Sequence, residues 1–268
     1  MTSWGRCLSA EQSVLWHLDR LAPIPPLLAS AQTFLPYGNG RSYGDSCLNA
    51  GGVALKTGMM DRLIAFDVHS GVLRCDAGIL LAEILRLFVA QGWFLPVTPG
   101  TRFVTVGGAI ANDVHGKNHH VTGTFGCHVR QFELLRSDGQ RLRCSPNENA
   151  DYYAATIGGL GLTGLITWVE LQLRRIGNPW LAVETIRYES LTEFFALCET
   201  SDRDYEYTVS WVDCSGQGRR LGRGLFMRGN HAPLGVIPGK HTASTRTFPF
   251  VPPVSLVNAV TLKAFNSV

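Results

Sequence analysis

Residues 35–46, LPYGNGRSYGDS, put three glycines, two serines, an arginine and an aspartate into one short stretch. A tight turn needs one or two glycines. A loop that closes around an anion needs more, because each missing side chain lets another backbone N–H approach the ligand. The spacing G-x-G-x-x-x-G is neither the dinucleotide fingerprint nor a phosphate loop with its lysine. Arg41 adds fixed positive charge, Ser42 a hydroxyl, and Gly38 and Gly40 exposed N–H donors. That set is able to hold a pyrophosphate from several sides without a helix dipole. A plain surface turn is the competing reading of the same residues.

Working outward, VALKT (53–57) and VLRCDAG (72–78) read as short strands. LAEILRLFVAQG (81–92) places Leu81, Ile84, Leu85, Phe88 and Val89 on one helical face and Gly92 just past its end. Residues 93–120 have no sustained period and are rich in Gly, Pro, Asn and His, so mostly loop and short helix is expected. A loop of that size inside a compact domain is usually functional. HVRQFELLRSDGQRLRCSP (128–146) predicts a hairpin turning at Asp138–Gly139. NADYYAATIG (149–158) predicts a short helix. GLITWVELQLRRI (164–176) predicts one strand with Val169, Leu171 and Leu173 on a shared face. RRIGNP (174–179) reads as a boundary, beyond which glycines thin out and aromatics such as Trp180, Tyr188, Phe194 and Trp211 increase. Strands and helices in this order give an α+β class rather than repeated β-α-β units.

The 268 residues are 45% hydrophobic and 17% charged with a net charge of +3, an ordinary globular composition with no warrant for nucleic-acid binding. Seven cysteines without a C-x-x-C pair argue against a disulfide framework or structural zinc and for free thiols in a reducing compartment. MTSWGRCLSAEQ (1–12) lacks a basic segment followed by an apolar run, so no secretory leader and a cytoplasmic location are expected. The 16-residue charge-free stretch 247–262, with three prolines, is too short and broken to span a bilayer. It leaves peripheral membrane contact open.

Two further motifs compete with the first. GGLGLTG (158–164) holds a formal G-x-G-x-x-G at Gly159, Gly161 and Gly164, but a helix precedes it and a strand follows, the reverse of a Rossmann context. Its glycines are expected to let the turn pass close to something flat or bulky. In DVHGKNHH (113–120), Asp113, His115, His119 and His120 have three readings: metal ligands, loop-satisfied histidines, or the lining of a cofactor or substrate pocket. Gly116 and Asn118 argue against the helix that would put two of the histidines on one face.

GNGRSYGDS, then TPGTRFVTVGGAIANDVHGKNHH (98–120), then GGLGLTG together resemble the FAD-binding domain of the vanillyl-alcohol-oxidase/PCMH-type flavoproteins. The match runs from about residue 30 to 175. Within that group it is most similar to the decaprenylphosphoryl-ribose 2′-oxidase branch, with aldonolactone and alditol oxidases as wider neighbours. The resemblance implies a PCMH-type domain of two α+β subdomains over residues 1–176, and part of a substrate domain over 177–268. It assigns Gly38, Asn39, Gly40, Arg41, Ser42, Tyr43, Gly44 and Asp45 to the FAD pyrophosphate. Gly100, Thr105, Val106, Gly107 and Gly108 fall to the ribityl chain and ring, and Asn112, Asp113, Val114 and His115 to the isoalloxazine. Ile166 falls to the adenine end. No metal is implied. Arg41 stands where alditol-type relatives carry a flavin-linked histidine, so non-covalent, dissociable FAD is expected.

The implied chemistry is oxidation of a secondary hydroxyl of a sugar-type substrate by hydride transfer to flavin N5. His115 is the candidate base or hydrogen-bonding partner, and Lys117 is read as structural. The implied partners are a sugar or polyprenyl-phosphosugar and a reductase completing an epimerase pair. Family members are longer than this chain, so an incomplete substrate domain is expected. A non-catalytic flavin-binding fragment and a metalloenzyme built on the histidine loop are the rivals.

Overall fold

The computed structural model describes residues 1–6, 8–23, 33–214, 216–218, 221–236, 258, 261–262, 264 and 266. Met1–Ile176 and Gly177–Val268 form two compact units.

In the first unit, strands β1 (Ser13–Trp16), β2 (Phe34–Tyr37) and β3 (Val53–Lys56) make a parallel sheet of order β1-β3-β2. β3 is central and buried along Val53, Ala54 and Leu55, as expected of a short apolar run covered on both faces. The strands run the same way, so Tyr37 and Lys56 end at one edge, and LPYGNGRSYGDS issues directly from it.

An antiparallel sheet follows, from β4 (Leu63–Asp67), β5 (Val72–Asp76), β7 (Val129–Leu135), β8 (Arg141–Cys144) and β9 (Leu165–Gln172), in the order β4-β5-β9-β7-β8. The hairpin β7–β8 turns where Asp138–Gly139 predicts it: the Gly139 N–H donates to the Arg136 carbonyl at 3.0 Å. Helix α1 (Leu81–Phe88) buries Leu81, Ile84 and Phe88 in the core of this sheet and half-buries Leu85. Gly92 closes the following 3-10 turn at φ 77°. Val169, Leu171 and Leu173 are all buried, but the single strand expected over 164–176 breaks in two. At Leu173 the N–H turns to the Gly71 carbonyl, and Arg174–Arg175 (β10) pairs instead with Trp93–Phe94 (β6).

Arg141 ties the segment after β1 to this sheet. Its guanidinium donates to the carbonyls of Arg20 and Ala22, at 2.8 and 2.7 Å, and to Glu133 at 2.7 Å. Thr167 donates to the same carboxylate at 2.7 Å. His17 lies nearby, buried, its Nε2 without a partner. Burial, then the Arg141 charge, hold its pKa below the ordinary value of 6.5. The unfolded chain therefore takes up a proton that the fold resists, and stability falls as pH drops through and below that value. His17→Phe is expected to flatten this dependence. Denaturant unfolding at several pH values between about 7.5 and 5 checks it, since wild-type and variant slopes must differ there.

The second unit is an antiparallel sheet of β11 (Leu181–Tyr188), β12 (Tyr207–Val212) and β13 (Gly224–His231), in the order β11-β13-β12. It is accompanied by α3 (Leu191–Ser201), which Ser190 caps by accepting from the Glu193 N–H. Phe194 of α3 packs on Tyr188 and Phe226, and the Tyr188 hydroxyl bonds Ser210 at 2.7 Å. The 247–262 stretch lies outside the described residues, apart from Asn258, Thr261 and Leu262. Among the described residues no helix is long and apolar enough to cross a membrane.

Candidate cofactor site

A cavity of about 690 Å³ opens within the first unit, a size suited to a bound cofactor. Its wall is assembled from segments far apart in sequence: Pro36 to Tyr43, Pro99 to Asn112, and Leu160 to Ile166 all contribute. Thr57, just past β3, and Ala77, just past β5, join the two sheets to that wall.

Each segment is held by its own hydrogen bonds. After β2 the chain must pass under Tyr37, and Gly40 does so at φ 60°, where a Cβ would collide with the Tyr37 hydroxyl. A Cβ on Gly38 would come within 2.5 Å of the Thr105 hydroxyl. Asn39 fastens the loop to the 99–108 segment by donating to the Phe103 carbonyl at 2.8 Å. Thr105 caps α2 (Val106–Ala111), its hydroxyl accepting from the Gly108 N–H at 3.1 Å. On this helix the residues four apart divide cleanly. Gly107, Gly108, Ala111 and the following Asn112 face the cavity, whereas Val106, Ala109 and Ile110 are buried in the core.

Of the residues singled out from the sequence, Gly38, Asn39, Gly40, Arg41, Ser42, Tyr43, Gly100, Thr105, Gly107, Gly108, Asn112, Val114 and Ile166 line the cavity. Five others are placed elsewhere. Val106 points into the core for the helical reason just given. The Asp45 carbonyl closes a turn by accepting from the Leu48 N–H at 2.7 Å, and Gly44 lies exposed beside it. Asp113, at φ 40°, turns its carboxylate onto the Gly126 N–H at 2.9 Å. His115 is exposed, bridged through its backbone to Thr124, its ring 5.8 Å from that of His119. Among the described residues no group of three or more His, Cys, Asp or Glu side chains is placed to hold a metal ion.

The glycines of GGLGLTG are partly explained by the chain itself. A Cβ on Gly159 would strike the Ala155 carbonyl, and one on Gly164 would lie 2.7 Å from that of Leu135. What these glycines approach is their own backbone, while Leu160, Gly161, Gly164, Leu165 and Ile166 present a wall to the cavity. Sequence reasoning missed Trp4, Phe103, Ser46, Cys47, Thr57 and Ala77, which also line it. Burial pushes the Cys47 thiol pKa up, away from the nucleophilic thiolate form.

The chemistry of the wall fits FAD. It is mostly bare backbone and apolar surface, as a flavin and an adenine require, and among the described residues Arg41 is its only charged side chain. The Arg41 Nε is buried without a partner, an orphaned donor that an anion would satisfy. Gly100 lines the cavity with nothing within 4 Å of a Cβ placed on it, so no neighbour within the chain requires a glycine there. A glycine there leaves that face of the cavity open to a ligand.

Residues 28–145 match the family described as FAD binding domain. The chain is 34% identical over 246 residues to decaprenylphosphoryl-beta-D-ribose oxidase of Mycolicibacterium smegmatis, covering 90% of this chain and 54% of that protein. L-gulonolactone oxidase of Mus musculus is 33% identical over 177 residues, 63% of this chain and 39% of that one. Delta(24)-sterol reductase of Homo sapiens is 27% identical over 140 residues, 52% of this chain and 26% of that one. The chain thus spans about half, or less, of the length of these relatives. Residues 28–145 thus form a PCMH-type FAD binding domain, with FAD as its cofactor.

Proposed function

We propose that the protein takes part in oxidising a secondary hydroxyl of a sugar-type substrate, a polyprenyl-phosphorylated pentose being the favoured class. The observation that carries this reading is the convergence of the 36–43, 99–112 and 160–166 segments on one cavity of FAD-binding character. The 34% identity to a decaprenylphosphoryl-ribose oxidase supports the substrate class. Bound FAD supplies a two-electron acceptor for the carbinol hydrogen. The chain's share is to fix the cofactor and to hold the hydroxyl beside a group that takes its proton. His115, next in sequence to the cavity-lining Val114, is that group in this reading, its imidazole accepting the proton as the alcohol becomes a ketone. The product would then suit a reductase acting in sequence, giving net epimerisation. Peripheral contact with a membrane would bring a prenylated substrate within reach.

The test is anaerobic mixing of the FAD-loaded chain with a prenylphosphoryl pentose while the visible flavin absorbance is followed. Bleaching is expected, and His115→Ala should keep FAD bound while slowing the bleaching by about a hundredfold. Bleaching at the wild-type rate in that variant removes His115 from proton transfer. No bleaching of a fully loaded wild-type chain refutes the activity. The likeness to L-gulonolactone oxidase supports a second reading, an aldonolactone- or alditol-type oxidase, in which a free sugar lactone or alditol bleaches the flavin and the prenylphosphoryl pentose does not.

A further inference from the structure

We propose that Trp4 is a positioning residue for the cofactor's diphosphate and acts through Arg41. The inference rests on the reading that Arg41 faces that diphosphate.

Trp4 is 55% exposed, and the rest of its indole lies against a neighbour. What it covers is Arg41, whose guanidinium carbon stands 4.7 Å from the Trp4 ring centroid and 5.9 Å from that of Phe103. The backbone holds the indole there. The Trp4 N–H donates to the Ser42 carbonyl at 3.0 Å, and the Ser3 hydroxyl to the Tyr43 carbonyl at 3.3 Å. These are the two residues that follow Arg41, so the chain terminus is tied to the cofactor loop beside the arginine. The terminus itself is closed into a hook by a Thr2–Ser9 bridge and by the Met1 ammonium donating to the Ala10 carbonyl at 2.7 Å.

The mode of holding matters. A carboxylate partner would occupy the N–H donors of the guanidinium, and no ion pair among the described residues engages Arg41. The Trp4 and Phe103 rings instead hold the guanidinium by cation–π contact, which takes up none of its N–H donors. Trp4 therefore helps to position the fork without consuming a donor. Residues 1–9 lie outside the 28–145 stretch that matches the FAD binding domain.

The experiment titrates FAD and, separately, ADP into the flavin-stripped full chain, with thermal melting of each apoprotein alongside. Trp4→Ala is expected to raise Kd for both ligands about tenfold, with the apoprotein melting as wild type does. Trp4→Phe should restore binding to within about twofold, since a ring remains to hold the guanidinium. Arg41→Ala should weaken both ligands at least as much, and the double variant no further, because the two residues act in series. Wild-type binding by Trp4→Ala alongside weakened Arg41→Ala overturns the inference and leaves the diphosphate reading standing. So do additive losses in the double variant, a lowered apoprotein melting point for Trp4→Ala, or failure of Trp4→Phe to restore binding. Unchanged binding by Arg41→Ala overturns the diphosphate reading itself, and the inference with it.

Discussion

Replacing Gly100 with leucine is expected to abolish FAD binding, raising Kd by about a hundredfold or more, while leaving the apoprotein's melting temperature where it was. Two properties of the position make the expectation sharp. Its backbone does not lie in the left-handed region, and a Cβ built there meets nothing within 4 Å, so the fold itself has room for a side chain. Yet Gly100 lines the cavity, on the segment that also brings Phe103, Thr105 and Gly108 to its wall. A leucine there takes volume that the cofactor needs, and well-packed sites tolerate added methylenes poorly. Fluorescence titration with FAD and differential scanning of the apoprotein give the two readings. Tight FAD binding in this variant would mean that the flavin sits elsewhere.

The contrast between what the sequence disclosed and what it withheld follows from locality. Helix α1 is legible because its apolar residues recur at three and four, and its one buried face follows from that pattern alone. The β7–β8 hairpin is legible because Asp138–Gly139 is a local signal. The cavity-lining loop at 38–43 is legible because the glycines of its stretch outnumber the one or two that an ordinary turn uses. Trp4 is not: nothing near MTSWGRC in sequence announces that it will cover Arg41, and the pairing exists only once residues 3 and 4 hydrogen-bond to 42 and 43. Thr57 and Ala77 read as ordinary strand ends, and they become cavity wall only where the two sheets meet. Val106 shows the converse. It sits among cavity glycines in TVGG, but the first turn of α2 rotates it into the core. The break at Leu173 depends on Gly71 and on the distant Trp93–Phe94 pair, which no window around residue 173 contains.

Gly78→Ala is the smaller change with the wider consequence: a loss of about 2–3 kcal/mol of stability together with weakened FAD binding. Gly78 follows β5, where the antiparallel sheet abuts the loop leaving the parallel one. A Cβ on it would fall inside the Thr57 carbonyl group and within 2.6 Å of the Met60 carbonyl oxygen. Both obstacles are backbone, and the Met60 N–H is itself bonded to the Thr57 carbonyl at 2.9 Å, so neither can turn aside cheaply. The added methyl is accommodated only by separating the ends of β3 and β5. Those ends carry Thr57 and Ala77 into the cavity wall, and the Ala77 carbonyl accepts from the Gly107 N–H at 2.7 Å, so the separation reaches α2 as well. At about 2–4 °C per kcal/mol for a unit of this size, melting should fall by roughly 4–12 °C. FAD titrated well below the transition should bind more weakly than to wild type. One methyl at Gly78 thus costs both fold and cofactor, where four carbons at Gly100 cost the cofactor alone. Equal melting of Gly78→Ala and wild type would show that the two sheets do not meet at this glycine, and with it the account of how they share one cavity would fail.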